Sequence, residues 1–332
     1  MTKLRRNFLK LNRLILFLAI SATVLTFANS LYSNYEVQKE QLVLQALEVN
    51  RAYASKLSNT TEVFLTSAQQ QLSYASNVLS KKIHDNTHLK DEVDRLRNQT
   101  DSFNSVVVSD ANGLIKAVTP ETTGLLGRHL DSVGGLEALD EKRELISKPY
   151  HSVSAVKNLL VFISNPIFDS EGDYLGFVGG TIYLKRPNIL NKILGQHYYQ
   201  NDSYIYVIDK QKQILYHPDV DRIGDFVTNN DGIDEIITNQ EGGVVLNNSR
   251  GIDMLAGYAS IPSTDWIIVT QSPLDSALIP LTGIMEKVIL RTIPIGFAVF
   301  VFIWFFARAI SSPLQLLADK VRTLDNPNVS EE

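Results

Sequence analysis

The sequence predicts an α+β protein, with a long N-terminal helix and two tandem antiparallel-sheet modules flanked by two transmembrane helices. Three observations lead there. Apolar runs stand near both ends of the 332-residue chain. Residues 36–99 contain neither Gly nor Pro. After residue 100, a strand–Asp–turn–strand pattern occurs twice.

The first apolar run, residues 14–31, reads LILFLAISATVLTFANSL and carries no charge. Its length is near the lower limit for a spanning helix, roughly 17–25 residues. A cleaved signal peptide is the rival reading, because it also has a basic start and an apolar middle. This run exceeds a usual signal h-region and leads into helix-favouring sequence, which favours a retained anchor. The second span, residues 288–309, contains IPIGFAVFVFIWFFA, with Arg291 near its outer end where the stem can snorkel. Lys3, Arg5, Arg6, Lys10 and Arg13 precede the first run, and Arg308, Lys320 and Arg322 stand at or beyond the end of the second. The positive-inside rule then places both termini in the cytoplasm. Residues 1–13 form the cytoplasmic N-terminus and residues 32–287 the periplasmic region. Residues 310–332 return to the cytoplasm, in a bacterial inner membrane protein of two passes.

Charge and composition narrow the function. Residues 32–290 hold 22 Lys+Arg against 32 Asp+Glu. An acidic middle without a basic stripe argues against nucleic-acid binding, which requires clustered phosphate-neutralising cations. Cysteine is absent, which excludes a disulfide framework, a thiolate nucleophile and thiolate metal ligation.

Over residues 36–99, apolar residues recur at helical spacing at Leu42, Ala46, Val49, Tyr53 and Leu57, then at Phe64, Ala68, Leu72, Ala75 and Leu79. A long helix is expected, with a break near residues 58–61. It is suited to packing along a domain and to pairing with its copy in a homodimer. A distal module (about residues 100–186) and a proximal module (about 187–275) follow. Strand 105–109, turn 110–113 and strand 114–118 open the first, and strands 159–168 and 174–184 form a second hairpin around Asp169-Ser170-Glu171-Gly172. A helical stretch around 187–195 follows. The opening pattern then restarts, with Tyr206-Val207-Ile208-Asp209 and Ile214-Leu215 echoing Val106-Val107-Val108-Ser109-Asp110 and Leu114-Ile115. Gly127-Arg128 and Gly224-Asp225 follow at similar distances, and residues 175–184 and 266–271 are the corresponding return strands.

Together these features resemble the double Cache family (dCache_1) of extracytoplasmic sensors. The residues that carry the resemblance are Ile163-Ser164-Asn165-Pro166-Ile167-Phe168-Asp169 and Gly172-Asp173-Tyr174-Leu175-Gly176-Phe177-Val178-Gly179-Gly180-Thr181-Ile182. In the second module they are 204–209, Ile214-Leu215-Tyr216-His217-Pro218 and Asp265-Trp266-Ile267-Ile268-Val269. The family implies PAS-like modules, a small-molecule ligand in the distal module, a homodimer and no cofactor. Ile310-Ser311-Ser312-Pro313-Leu314-Gln315-Leu316-Leu317 looks like the start of a HAMP linker. The chain stops at Glu332, before a complete unit. The wording of the hairpin and of residues 188–217 is most similar to sensors attached to diguanylate cyclases, which implies cyclic-di-GMP output. The alternative is an output-less tethered binding protein, or the sensor half of a chemoreceptor or histidine kinase.

Amino-acid sensors of this family use a Tyr, Arg and Trp cluster plus two Asp residues to hold the ligand's ammonium and carboxylate. This chain keeps Tyr150, has Ser152 and Thr181 in place of the two Asp residues, and shows no Arg-x-Trp-Tyr counterpart over residues 133–145. The resemblance therefore implies a less cationic ligand, with Tyr150, Ser152, Ser154, Phe162, Ser164 and Thr181 as candidate contacts. Filling of strand positions or of the core is the alternative role for each. His84 and His88 have the i,i+4 spacing of a helical metal pair, but no third ligand is nearby and a solvated face is the simpler account. Tyr216-His217-Pro218-Asp219 reads as turn chemistry, and Tyr198, Tyr199 and Trp266 as core or interface aromatics. No Ser-His-Asp set, phosphate loop or paired catalytic carboxylates point to an enzyme.

Overall fold

The computed structural model describes residues 3–99, 102–153, 157–195 and 202–325. The chain divides into two compact units, one of Met1–Leu44 with Ala277–Glu332 and one of Gln45–Ser276. The first unit contains the apolar parts of helices α1 (Lys3–Leu79) and α6 (Leu274–Asp325). Both helices are long and apolar enough to cross a membrane. Phe297, Phe302, Phe305 and Phe306 of α6 are all exposed, as a lipid-facing surface requires.

The second unit is built on two antiparallel sheets. The first contains β1 (Ser105–Asp110), β2 (Ile115–Thr119), β3 (Leu145–Ile146), β4 (Tyr150–His151), β5 (Leu159–Phe168) and β6 (Tyr174–Tyr183). Its order is β2-β1-β6-β5-β3, with β4 also on β5. The second contains β7 (Tyr204–Ile208), β8 (Ile214–Tyr216), β9 (Glu241–Asn247), β10 (Asp253–Ser260) and β11 (Ile267–Pro273), in the order β8-β7-β11-β10-β9. The two orders match strand for strand, which is the tandem architecture expected from the repeated pattern. The β9–β10 hairpin was not among the expected elements.

The repeated Asp has a physical task. Asp110 Oδ1 accepts the N–H groups of Asn112 (3.0 Å) and Leu114 (2.9 Å). Asp209 Oδ1 does the same for Gln211 (2.9 Å) and Gln213 (2.8 Å). Such Asx turns replace the backbone bonds that a tight turn leaves unmade. The later Gly of each copy closes the motif. Gly127 N–H donates to the Ile115 carbonyl and Gly224 N–H to that of Ile214. Their φ values of 74° and 96° are left-handed and favour glycine.

The expected break at residues 58–61 is absent, because α1 runs through it to Leu79. Ser58 and Thr61 are instead buried, and Ser58 Oγ donates to the Ser260 carbonyl at 2.7 Å. Their small size permits close approach to the second sheet. The helix ends at residues 80–85, and α2 (Asn86–Gln99) starts on Asp85, whose Oδ1 accepts from Thr87 and His88 N–H. His84 therefore lies in the break and His88 on α2, not on one helical face. Among the described residues, no group of three His, Cys, Asp or Glu could hold a metal ion.

One face of α1 (Leu57, Leu65, Ala68, Leu72, Ala75, Leu79) and one of α2 (Leu89, Val93, Leu96) enter a shared core. Val106, Val161, Ile163 and Ile182 meet them from the first sheet, and Val207, Trp266 and Ile268 from the second. Full burial of each Leu contributes about 1.5–3 kcal/mol, so one continuous seam holds both modules. Val49 departs from the expected stripe and is 60% exposed. At that level the helix meets the sheet through polar groups. Asn50 Nδ2 donates to the Leu255 carbonyl (2.7 Å) and to Ser272 Oγ (3.0 Å), and Thr270 Oγ1 donates to the Asn50 carbonyl (2.7 Å).

A Cβ on Gly257 would lie 2.0 Å from the Arg51 backbone nitrogen. Gly257→Ala is therefore expected to force α1 off β10 and to cost at least about 1–3 kcal/mol, the usual range for overpacking. Thermal unfolding of the variant should show a lowered midpoint; an unchanged one would mean that the contact is not tight.

Candidate functional site

The first sheet turns one face to the shared core and the other to a cavity of about 710 Å³. Side-chain alternation along each strand makes the division. On β5, Val161 and Ile163 enter the core, whereas Leu160 and Phe162 face the cavity. On β6, Ile182 enters the core, whereas Thr181 and Tyr183 face the cavity. Ser105 and Val107 of β1 continue this floor, and residues 120–135 together with Tyr150, Ser152, Val153 and Asn158 supply further walls.

Four of the predicted residues meet here: Tyr150, Ser152, Phe162 and Thr181. The Tyr150 hydroxyl packs against the start of α3 (Val133–Glu141), where a Cβ on Gly134 would approach it to 2.8 Å. Burial pushes the phenol up to about 12, and hydrogen bonding to Ser132 and to the Gly134 backbone opposes this. Tyr150 thus stays protonated at neutral pH and can donate. Ser152 closes the neighbouring loop, its Oγ accepting from Asn158 N–H at 3.0 Å and its N–H donating to the Asn158 carbonyl at 2.8 Å. Thr181 pairs with Phe162 on one side and Ser105 on the other, and is half-buried.

Ser164 does not line the cavity. Gly179, its partner across the sheet, is covered by the Phe162 ring; a Cβ there would lie 2.1 Å from the ring tip. The cavity floor ends under that ring, and Ser164 is buried beyond it with its Oγ unpartnered among the described residues. Ser154, Tyr198 and Tyr199 lie outside the described residues.

Sequence reasoning missed the charged groups of the site. Arg97, Arg128, Arg186 and Asp131 all line the cavity, an excess of positive charge. The Arg186 guanidinium stacks 4.9 Å from the Tyr183 ring centroid. Asn104 braces the floor, its Oδ1 accepting from Tyr183 N–H at 2.9 Å and its Nδ2 donating to the Pro187 carbonyl at 3.1 Å. No local pattern marks these residues, because they come from α2, from loops and from a strand end, and only the fold brings them together.

In the second module, His217 is buried and its Nδ1 accepts from Asp219 N–H at 3.0 Å. Turn chemistry thus accounts for the His217-Pro218-Asp219 sequence. Burial first, and then the Arg222 charge with a smaller effect of Arg250, depress the imidazole to about 4, opposed by Asp219. Trp266 is buried in the shared core.

A Cache domain family model (dCache_1) matches residues 34–281. Among curated proteins, no sequence matches the chain. Among solved structures, the fold is similar to the ligand-binding domain of the Pseudomonas aeruginosa PAO1 amino acid chemoreceptor PctB in complex with L-Gln. The TM-score is 0.54 at 14% identity, covering 74% of this chain and 98% of that one. It is also similar to the ligand-binding domain of the Pseudomonas fluorescens chemoreceptor CtaA in complex with L-isoleucine, with TM-score 0.53, 15% identity and coverage of 73% and 98%. An extracellular ligand binding receptor from Desulfohalobium retbaense matches with TM-score 0.53 at 15% identity, over 66% of this chain and 39% of that receptor. The chain thus spans about two fifths of that receptor's length.

Two outcomes follow from the geometry. Gly179→Ala should drive the Phe162 ring into the cavity and lower stability by about 1–3 kcal/mol, which thermal unfolding checks. For His217, the folded state binds fewer protons than the unfolded state between the ordinary value near 6.5 and about 4. Its contribution to stability is complete above that window and falls as pH drops through it. His217→Gln should therefore flatten the acid side of a stability–pH curve relative to the parent protein.

Proposed function

The chain belongs to the Cache domain family, and from that premise we propose that it is the sensing half of a membrane receptor, binding a small molecule in its distal module. The cavity of about 710 Å³ carries this assignment, because its size suits a small organic ligand and polar groups converge in it. Residues 14–31 and 288–309 would cross the bacterial inner membrane, with residues 32–287 in the periplasm and both termini in the cytoplasm. Dimerisation through α1 and a HAMP-like start over residues 310–332 belong to the same proposal.

The ligand is best described as a small organic acid without an ammonium group. Arg97, Arg128 and Arg186 outnumber Asp131 around the cavity, and Ser152 and Thr181 are neutral where a cationic group would need carboxylates. Tyr150 adds a neutral donor. A ligand of this kind shifts a receptor only through its different affinity for two states of the domain.

For the output, the hairpin wording favours cyclic-di-GMP signalling, whereas the fold is shared with ligand-binding domains of chemoreceptors and, equally, with the extracellular domain of a putative histidine kinase, which supports the sensor half of either. A tethered binding protein that acts through another receptor is the third possibility.

A thermal-shift screen of the full chain in detergent, with organic acids, amino acids, amines and purines, tests the ligand class. Binding stabilises the native state by mass action. Organic acids should raise the midpoint and simple amines should not. Removal of a charge-assisted bond costs about 1.5–3 kcal/mol, so Arg97→Gln and Arg186→Gln should each weaken binding about tenfold or more. Hits confined to amines, or hits indifferent to Ser152→Ala, Thr181→Ala and the arginine variants, would overturn the assignment.

A further inference from the structure

The second module contains a smaller polar pocket of about 20 Å³, lined by Tyr204, Tyr206, His217, Arg222, Asn248 and Gln271 with Ile214 and Val227. It is the counterpart of the distal cavity. Superposing the repeated aspartates, Asp110 on Asp209, sets Ser105 on Tyr204 and Val107 on Tyr206. Sheet register then sets Thr181, paired with Ser105, on Gln271, paired with Tyr204. All six residues face their respective cavities. The difference in volume follows from two large phenols standing where the distal module has Ser and Val.

Polar groups in this pocket are poorly satisfied. Tyr206 and Gln271 are 4% and 2% exposed, and neither the Tyr206 hydroxyl nor Gln271 Oε1 has a partner in good hydrogen-bond geometry among the described residues, although Asn230 acts on the phenol and Tyr204 interacts with the amide. Buried orphans of this kind are rare and point to a missing partner. His217 Nδ1 lies 3.0 Å from the Asp219 nitrogen and 3.2 Å from the Asp219 carbonyl oxygen, so the tautomer decides which ring nitrogen carries the proton. His217 Nε2 lies 3.4 Å from Arg222 Nη1, so the ring and the guanidinium meet at the pocket wall. Arg222 is half-buried, no carboxylate lines the pocket, and among the described residues Arg222 makes no ion pair. The charged groups that act on His217 are Arg222, Arg250 and Asp219.

We propose that this pocket is a second binding site, for a small monovalent carboxylate of formate or acetate size, held between His217, Arg222, Tyr206 and Gln271. A partly buried cation without a counter-charge is costly, and an anion removes that cost where a water does not. One water needs roughly 10–15 Å³ of such space, so a pocket of about 20 Å³ takes formate or acetate only with small outward rotations of its lining side chains, and it excludes amino acids. Ile214 and Val227 form an apolar edge for the C–H or methyl end. The Gln271 amide presents its nitrogen to the anion when turned over, and Tyr204, which interacts with Gln271, can donate or accept in either orientation. Gln271 lies on β11, three residues before α6 begins, so occupancy is placed beside the strand that leads into that helix.

The test is a thermal-shift titration of the full chain in detergent at pH 7 with sodium formate and sodium acetate, at ionic strength held constant with sodium sulfate. Formamide, a neutral isostere, and sodium chloride are the controls. Formate or acetate should raise the midpoint saturably while formamide does not. Arg222→Gln and Tyr206→Phe, the latter removing a single oxygen, should each weaken the response at least about tenfold, whereas Thr181→Val in the distal cavity should leave it unchanged. The apparent pKa of His217, followed by its ring proton resonances, should rise when the anion is bound. The proposal is overturned by the absence of a saturable response, by a response that persists in both pocket variants, or by one that chloride alone reproduces. Each of those results would leave the pocket to water or to a simple halide. A response lost in Thr181→Val but kept in the pocket variants would assign it to the distal site instead.

Discussion

The structure of the sensor unit depends on how closely α1 approaches the second sheet. At Gly257 there is no room for a side chain between strand and helix backbone, and the polar groups of Asn50, Ser58 and Thr270 are used to fasten the two. Further along the same helix the contact becomes apolar, and Leu65, Leu72 and Leu79 continue the seam to the first sheet. A helix held in this way fixes both modules to one rod. Each sheet is left with one face committed to the seam and one face free to enclose a cavity.

The free faces show how one module can be used twice. Strand order, Asx turn and closing glycine are the same in both, so the position of each cavity wall is set by backbone geometry shared between the copies. What differs is side-chain volume at matched positions. Ser105 and Val107 leave the distal floor open, and Tyr204 and Tyr206 nearly close the proximal one. Electrostatic character is similar in sign, with Arg97, Arg128 and Arg186 against Asp131 around the distal cavity and Arg222 with no carboxylate in the lining of the proximal pocket.

Much of the fold was legible because its signals are local. The Asp-led turns, the paired glycines of the hairpin and the period of Leu57 to Leu79 each reflect contacts within a few residues or along one face. Gly179 and Gly180 are small because Phe162 and Phe103 lie over them on opposite faces, and this leaves a recognisable Gly-Gly in the return strand. The break in α1 was misplaced for a related reason. Small polar residues at 58–61 look like a helix end in isolation, but they are explained by the sheet that packs there. Of the candidate site, Tyr150, Ser152, Phe162 and Thr181 were foreseen to lie near one another. The arginines were not, since Arg97, Arg128 and Arg186 owe their proximity to three separate segments. Ser164 shares the parity of Phe162, and only the placement of one ring separates it from the cavity.

The substitution of two tyrosines for two small residues has a consequence for how such a sensor could diversify. A duplicated module need not lose its recess to stop competing for the same ligand. Filling it from the floor upward narrows what can enter while the cationic rim is retained. The two recesses of the molecule then differ first in the bulk they can admit and only second in the charge of their walls.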